Sequence, residues 1–180
     1  MAKILLCCGA SVAIYKACDL ASKLVQAKHV VRTVLTPTAA ELISPQLFEA
    51  VTGESASVSE YGPGRRGAMD HIQLGAWAEL ILVAPASADL IARLAHGMAG
   101  DLLTTAILAC PTQRARLIAP AMNPNMLAQP SVQRNLDQLR RDGWKVIEPD
   151  SGHMACGDDG QGRLPEPAAL VARVAELLKA

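Results

Sequence analysis

Residues 3–35 read KILLCCGASVAIYKACDLASKLVQAKHVVRTVL. Ile4 to Cys8 is one continuous apolar run, the mark of a strand covered on both faces. Gly9-Ala10-Ser11 interrupts it. From about Val12 to Lys28, Ala13, Ala17, Leu20, Leu24 and Val25 recur at three- and four-residue spacings, which predicts a helix with one apolar face. Val30 to Leu35 is rich in β-branched residues and predicts a second strand.

The same alternation continues along the chain. Pro37 and the Ser44-Pro45 pair each open a helical stretch, the second running through Val51. Gly53 to Gly67 is rich in Ser, Gly and Arg and reads as a long surface loop, of the length that lids and binding loops have. Leu80 to Ala84 is a third apolar run, ended by Pro85. Asp89–Gly97 and Asp101–Cys110 read as helices, and Arg116–Ala119 as a short strand stopped by Pro120. Ser131 starts a helix that Asp142-Gly143 closes; Trp144–Ile147 reads as the last strand. Ser151 to Arg163 is Gly-rich and irregular, and Pro165 to Lys179 is a closing helix. Short apolar strands alternating with helices predict one α/β domain over residues 1–180: a Rossmann-like or flavodoxin-like parallel sheet with helices on both faces. Ligands of such sheets bind beyond the carboxyl ends of the strands. Gly9–Ser11, Thr36–Thr38, Pro85–Leu90 and Pro120–Met126 are therefore the turns of interest.

Composition narrows the function. The chain is 51% hydrophobic and 19% charged, which excludes a disordered chain. Its aromatic residues are Tyr15, Phe48, Tyr61, Trp77 and Trp144, so the core is aliphatic. Seventeen basic residues balance seventeen acidic ones, which argues against a general nucleic-acid binder and leaves little repulsion between copies. The five cysteines form no CxxC pair, and no cluster has metal-ligand spacing, so no metal is expected. Cys7, Cys8 and Cys18 lie in apolar surroundings, as core thiols of a reducing compartment do. The N-terminal apolar run is too short to span a membrane and reads as a strand rather than a signal peptide; a cytoplasmic location is expected.

Several residues carry chemical promise. Gly9-Ala10-Ser11 leads into a helix N-terminus, where backbone N–H groups suit an anion; Ser11 is placed either to cap that helix or to touch a ligand. At this strand-to-helix turn both the GxGxxG fingerprint and the Walker motif are absent. Thr36, Thr38 and Ser87 add hydroxyls at other strand ends, and Asp89 suits the cap of the helix after it. His71, just after the long loop, is the default base; His29 and His96 carry less promise, and His153 lies near Cys156. Asn123, held between Pro120 and Pro124, offers a fixed amide to a carboxylate or carbonyl. Met122 and Met126 flank it. Asp158 and Asp159 push the thiol of Cys156 toward its protonated form, so an acid role suits it better than a nucleophilic one.

Taken together these stretches resemble the homo-oligomeric flavin-containing cysteine decarboxylases. Residues 10–16 (ASVAIYK) resemble that family's GSIAAYK, and residues 69–103 its histidine segment and PASANT region. PAMNPNM at 120–126 matches PxMNxxM, and ACGDDGQGRL at 155–164 matches ACGxxGxGRM. The resemblance covers nearly the whole chain and leans to the branch acting on 4′-phosphopantothenoylcysteine, the flavin domain of a bifunctional bacterial coenzyme A enzyme. Ala10 stands where the family has Gly. Asp89 stands for the Asn of PASANT, as in the bifunctional enzymes, and Leu127 replaces the Trp of the peptide-cysteine branch.

The resemblance implies non-covalent FMN held by Gly9, Ala10, Ser11, Val12, Thr36, Thr38, Pro85, Ser87, Ala88, Asp89, Leu90 and Ala121. It implies His71 as base, Asn123 as the substrate-carboxylate ligand and Cys156 as acid, with Met126 and Ala155 also against the substrate. The chemistry implied is thiol oxidation to a thioaldehyde, loss of carbon dioxide to an enethiol, and reduction to 4′-phosphopantetheine. It further implies a homo-oligomer, a trimer or an assembly of trimers, with a neighbouring chain completing the flavin site. A separate or fused phosphopantothenoylcysteine synthetase is a further implied partner; nucleic acid and membrane are not. Oxidative decarboxylation of a C-terminal peptide cysteine is the chief alternative, and Cys156 argues against it. A non-enzymatic regulatory flavoprotein, or a flavin prenyltransferase, fits the residues less well.

Overall fold

The computed structural model describes residues 1–61, 69–154 and 157–179. Ala155 and Cys156 lie outside the described residues, as does the 62–68 part of the long loop. Six parallel strands form the main sheet: β1 (Lys3–Cys8), β2 (Val30–Leu35), β3 (Ala56–Ser57), β4 (Leu80–Ala86), β5 (Ala115–Pro120) and β6 (Lys145–Val146). Their spatial order is β3-β2-β1-β4-β5-β6. The chain leaves β1 toward one edge, then returns to lay β4 on its other side. That reversal opens a crevice at the carboxyl ends of β1 and β4, where doubly wound sheets bind ligands.

Strand alternation explains the two layers. Ile4, Leu6 and Cys8 face one side with Leu80, Leu82 and Ala84; Leu5, Cys7, Ile81 and Val83 face the other. All ten are fully buried, so β1 and β4 read as unbroken apolar runs rather than alternating ones. On the first side pack α1 (Tyr15–Gln26), α3 (Pro45–Thr52) and α9 (Pro167–Leu177). Leu20 and Leu24 of α1 reach 0% exposure, and truncating either to Ala would cost about 2–5 kcal/mol. On the second side pack α4 (Asp70–Trp77), α5 (Ala88–Ala95), α6 (Leu102–Ala109) and α8 (Pro130–Arg141). Short α2 (Pro37–Leu42) follows β2, and α7 (Pro124–Leu127) follows β5.

Local chemistry sets the boundaries. Thr36 Oγ1 accepts from Ala39 N at 3.1 Å and Ser44 Oγ from Gln46 N at 3.3 Å, each just before a proline at the first helical position. Gly53 ends α3 at φ +69. Asp101 and Thr104 form a reciprocal capping box on α6.

The structure corrects the sequence reading in four places. The loop after Gly53 contains β3, whose two residues are too few to show a period. Residues 70–77 form a helix for which the sequence carries no clear start signal, since Met69 makes no side-chain cap. Pro85 does not end its strand: β4 continues to Ala86, with a register shift between Val83 and Ala86 and a cis Ala84–Pro85 bond. The irregularity accommodates a residue with no N–H to give the ladder. Finally, residues 150–163 are not structureless. Strands β7 (Asp150–His153) and β8 (Asp159–Arg163) pair antiparallel as a separate hairpin. Gly, Ser and Asp carry little β-propensity, so docking rather than pattern holds them.

Among the described residues no helix is long and apolar enough to cross a membrane, and no group of three His, Cys, Asp or Glu side chains is set to hold a metal ion. Cys7, Cys8, Cys18 and Cys110 are unpaired thiols. Burial pushes the thiols of Cys7 and Cys8 far above the ordinary thiol range, which makes them inert core residues.

Candidate active site

A cavity of about 370 Å3 opens at the carboxyl ends of β1, β4 and β5. Four segments far apart in sequence build its wall. The β1 turn supplies Ala10, Ser11 and Val12; the β4 turn supplies Ser87 and Ala88; the segment after β5 supplies Ala121, Met122, Asn123 and Met126. The hairpin closes the remaining side with His153, Met154, Gly162 and Arg163. The lining is mostly apolar with a few convergent polar groups, as small-molecule sites are.

Each turn is held by its own bonds. Ser11 caps a short 3-10 turn (Val12–Ile14), accepting from Ala13 N at 3.3 Å, and its hydroxyl donates to the Ala121 carbonyl at 3.2 Å. One side chain thus joins the β1 and β5 turns. Ser87 Oγ accepts from Leu90 N at 3.3 Å and caps α5, so that helix points its N-terminus at the cavity rim. Ala121 N donates to Ala86 O at 3.0 Å, and Met122 N to Gly162 O at 3.0 Å. Gly9 sits behind this wall. Its N–H donates to Pro85 O at 2.9 Å, and a Cβ there would meet Leu90 Cδ2 at 2.9 Å. Glycine at this position lets β1 and β4 turn side by side.

Asn123 caps α7, its Oδ1 accepting from Asn125 N at 2.8 Å. Its Nδ2 donates to Asp158 Oδ2 at 2.5 Å, which ties the hairpin to the segment after β5. The amide expected to be presented to a ligand is therefore already engaged. Lys16 also belongs to the cavity wall, beyond the residues the sequence singles out. Its side chain is only 9% exposed; Nζ donates to Leu164 O at 3.1 Å and Glu166 Oε1 at 2.7 Å. A signal existed: Lys16 lies three residues after Ala13 and four before Leu20, on the buried face of the helix.

The expected residues divide. Ala10, Ser11, Val12, Ser87, Ala88, Ala121, Asn123 and Met126 come together at the cavity. Gly9 and Pro85 stand behind it, and Leu90 is core. Thr36 spends its hydroxyl on the α2 cap, and Thr38 is exposed beyond it. Asp89 does not cap α5; Ser87 does, and the Asp89 carboxylate pairs with Arg93 at 3.0 Å. His29 accepts from Ala2 N at 3.2 Å, and burial and the chain's amino terminus lower its pKa, so it is structural.

His71 lies outside the cavity wall of its own chain, at the second position of α4, with Nδ1 against Glu60 Oε1. The Lys16 contacts span about 150 residues, and the Glu60–His71 contact joins a loop to a helix across eleven; neither follows a local periodic pattern.

The Flavoprotein family model matches residues 1–179. The coenzyme A biosynthesis bifunctional protein CoaBC of Bacillus subtilis is 43% identical over 168 residues, covering 93% of this chain and 41% of its own length. CoaBC of Vibrio cholerae is 46% identical over 170 residues, covering 94% and 42%. The chain thus spans about two fifths of the length of these curated relatives. Among solved structures, a PPC decarboxylase mutant complexed with pantothenoylaminoethenethiol superposes with a TM-score of 0.89 at 27% identity, covering 99% of both chains. The FMN-dependent cysteine decarboxylase SpaF gives 0.81 at 32% identity, covering 99% of this chain and 98% of its own. A crossover-built parallel sheet, a cavity at its point of reversal and a family match over almost every residue agree: this chain belongs to the flavoprotein family.

Proposed function

We propose that this chain binds FMN and decarboxylates 4′-phosphopantothenoylcysteine to 4′-phosphopantetheine without net oxidation. The observation that carries the reading is the cavity itself. Ala10, Ala88, Ala121 and Met122 line it with apolar surface suited to a planar ring, while the Ser11 turn and the N-terminus of α5 offer donors suited to a phosphate. These residues fit FMN. Bound there, FMN would supply the two-electron acceptor and donor that thiol oxidation and later reduction require.

The chain's residues then divide the proton work. His71 would accept the substrate thiol proton as general base. Asn123 would orient the substrate carboxylate with an amide N–H; the Asp158 carboxylate, now on that amide, would have to withdraw from an incoming like charge. Met126, on the cavity wall, would pack against the substrate, and Ala155 is proposed as a further substrate contact. Cys156 would deliver a proton in the reducing half; its sequence setting, next to Asp158 and Asp159, favours the protonated thiol that role needs. Because His71 stands off the cavity of its own chain, a second copy would bring a histidine to the flavin, in a trimer or an assembly of trimers. The relatives are bifunctional and more than twice as long, which supports a synthetase, fused or separate, as source of the substrate.

Anaerobic incubation of the yellow protein with 4′-phosphopantothenoylcysteine, read by mass spectrometry, tests this. Loss of carbon dioxide with unchanged hydrogen count is expected. Loss of carbon dioxide and two hydrogens would mean an oxidative enzyme. Absence of turnover despite bound FMN would shift the weight to a peptide cysteine or a regulatory role. His71→Asn should keep the flavin and abolish carbon dioxide release.

A further inference from the structure

We propose that Glu60 is the positioning residue of His71, holding the imidazole as the tautomer protonated on Nδ1 so that Nε2 is the nitrogen able to take a proton. The inference rests on the reading of His71 as base and goes beyond it, because it assigns which nitrogen acts and what selects it.

The geometry is specific. Glu60 lies between β3 and α4, eleven residues before His71, and its Oε1 meets His71 Nδ1. The glutamate side chain is 10% exposed and the histidine 22%. A carboxylate so withdrawn from water needs a donor. An ionised carboxylate only accepts, whereas a neutral imidazole carries a single N–H. In the neutral imidazole that a base must present, an ionised Glu60 takes its hydrogen bond from Nδ1–H, which leaves Nε2 as acceptor.

Other groups anchor the described residues on either side of the pair. Arg32 on β2 reaches both sides, through Glu54 at 3.0 Å and through the Trp77 ring with 4.5 Å from guanidinium to centroid. Gly75 seats α4 against α6, where a Cβ would lie 3.0 Å from the Ala106 carbonyl oxygen. Beside Glu60, Ser59 Oγ donates to Tyr61 O at 2.8 Å and closes the local turn. With anchoring assigned to these groups, the Glu60 carboxylate is left with orientation of the ring. A glutamine there could flip and donate to Nδ1, which would select the opposite tautomer.

The test uses the FMN-loaded holoenzyme with 15N-labelled histidine, comparing wild type, Glu60→Ala and Glu60→Gln. Long-range nitrogen–proton spectra at neutral pH should show His71 with a protonated Nδ1 and a bare Nε2 in the wild type. Both variants should move toward the Nε2-protonated form while keeping flavin absorbance and thermal midpoint. In parallel, kcat should fall about ten- to hundred-fold with KM little changed. An Nε2-protonated His71 in the wild type, or an unchanged tautomer in both variants, would overturn the assignment. So would loss of flavin and fold in both variants, since Glu60 would then be structural. The tautomer needs no substrate, so failure of the decarboxylase reading would register separately, as absent turnover beside the expected spectrum.

Discussion

Gly162 of the hairpin lies so close to Met122 that a Cβ added to it would stand 2.1 Å from the Met122 carbonyl oxygen and 2.6 Å from Met154 Cε. The same pair is bonded, Met122 N to Gly162 O at 3.0 Å, and Gly162 holds φ +151. Backbone meets backbone here, and only glycine allows it. Gly162→Ala should lift the hairpin from the cavity while leaving the main sheet intact. The expected result is a fall of about 100-fold in kcat/KM, with a thermal midpoint lowered by only about 2–4 °C. Calorimetry beside steady-state kinetics separates the two.

Gly75 makes a second backbone contact, with the Ala106 carbonyl oxygen and Cys110 N each 3.0 Å from an added Cβ. Alanine raises helix propensity by about 1 kcal/mol, but overpacking against atoms that cannot rotate away costs about 1–3 kcal/mol. Gly75→Ala should therefore lower the urea midpoint at unchanged m-value.

Acid should reach the protein through Asp101. Burial disfavours its charged form, but the Arg93 hydrogen bond at 2.7 Å, the Thr104 N–H and hydroxyl, and the Arg93 charge outweigh that and hold the carboxyl below its ordinary pKa. A carboxylate depressed on folding contributes stability above its unfolded value of about 3.9 and loses it as pH falls through the folded value. Asp101→Asn should be less stable at neutral pH and flatter below about pH 4. Urea titrations between pH 2 and 7 would show the two curves converging in acid.

Lys16 gives the Leu164 carbonyl its donor from within the cavity wall. Lys16→Met leaves that carbonyl unsatisfied and should cost about 1–3 kcal/mol. Glu166, 63% exposed, rehydrates when unpaired, so Glu166→Gln should cost under about 1 kcal/mol. Equal losses in the two variants would show that the ion pair, not the carbonyl, matters.

Most of the fold was legible because its signals are local. The apolar run before Gly9, the β-branched run at Val30–Leu35 and the prolines at 37 and 45 each mark an element the structure contains. The hairpin was not, because Gly152, Gly160 and Gly162 carry no hydrophobic period and gain their place by fitting Arg163, Pro124 and Met122. Nor was the fate of the hydroxyls and carboxylates: Thr36 and Ser87 cap helices, whereas Asp89 turns to Arg93.

The sequence by itself determined that strands and helices alternate, that the sheet is parallel and covered on both faces, and that the turns after β1, β4 and β5 lie at one edge. Hydrophobic periodicity and turn chemistry act over a few residues, so a short window suffices to read them. Tertiary structure alone decided which turns meet. Ser11 reaches Ala121 across 110 positions, Lys16 reaches Leu164 across 148, and His71 turns to Glu60 rather than to the cavity. Such contacts follow from strand order and close packing of whole elements, which no local pattern encodes.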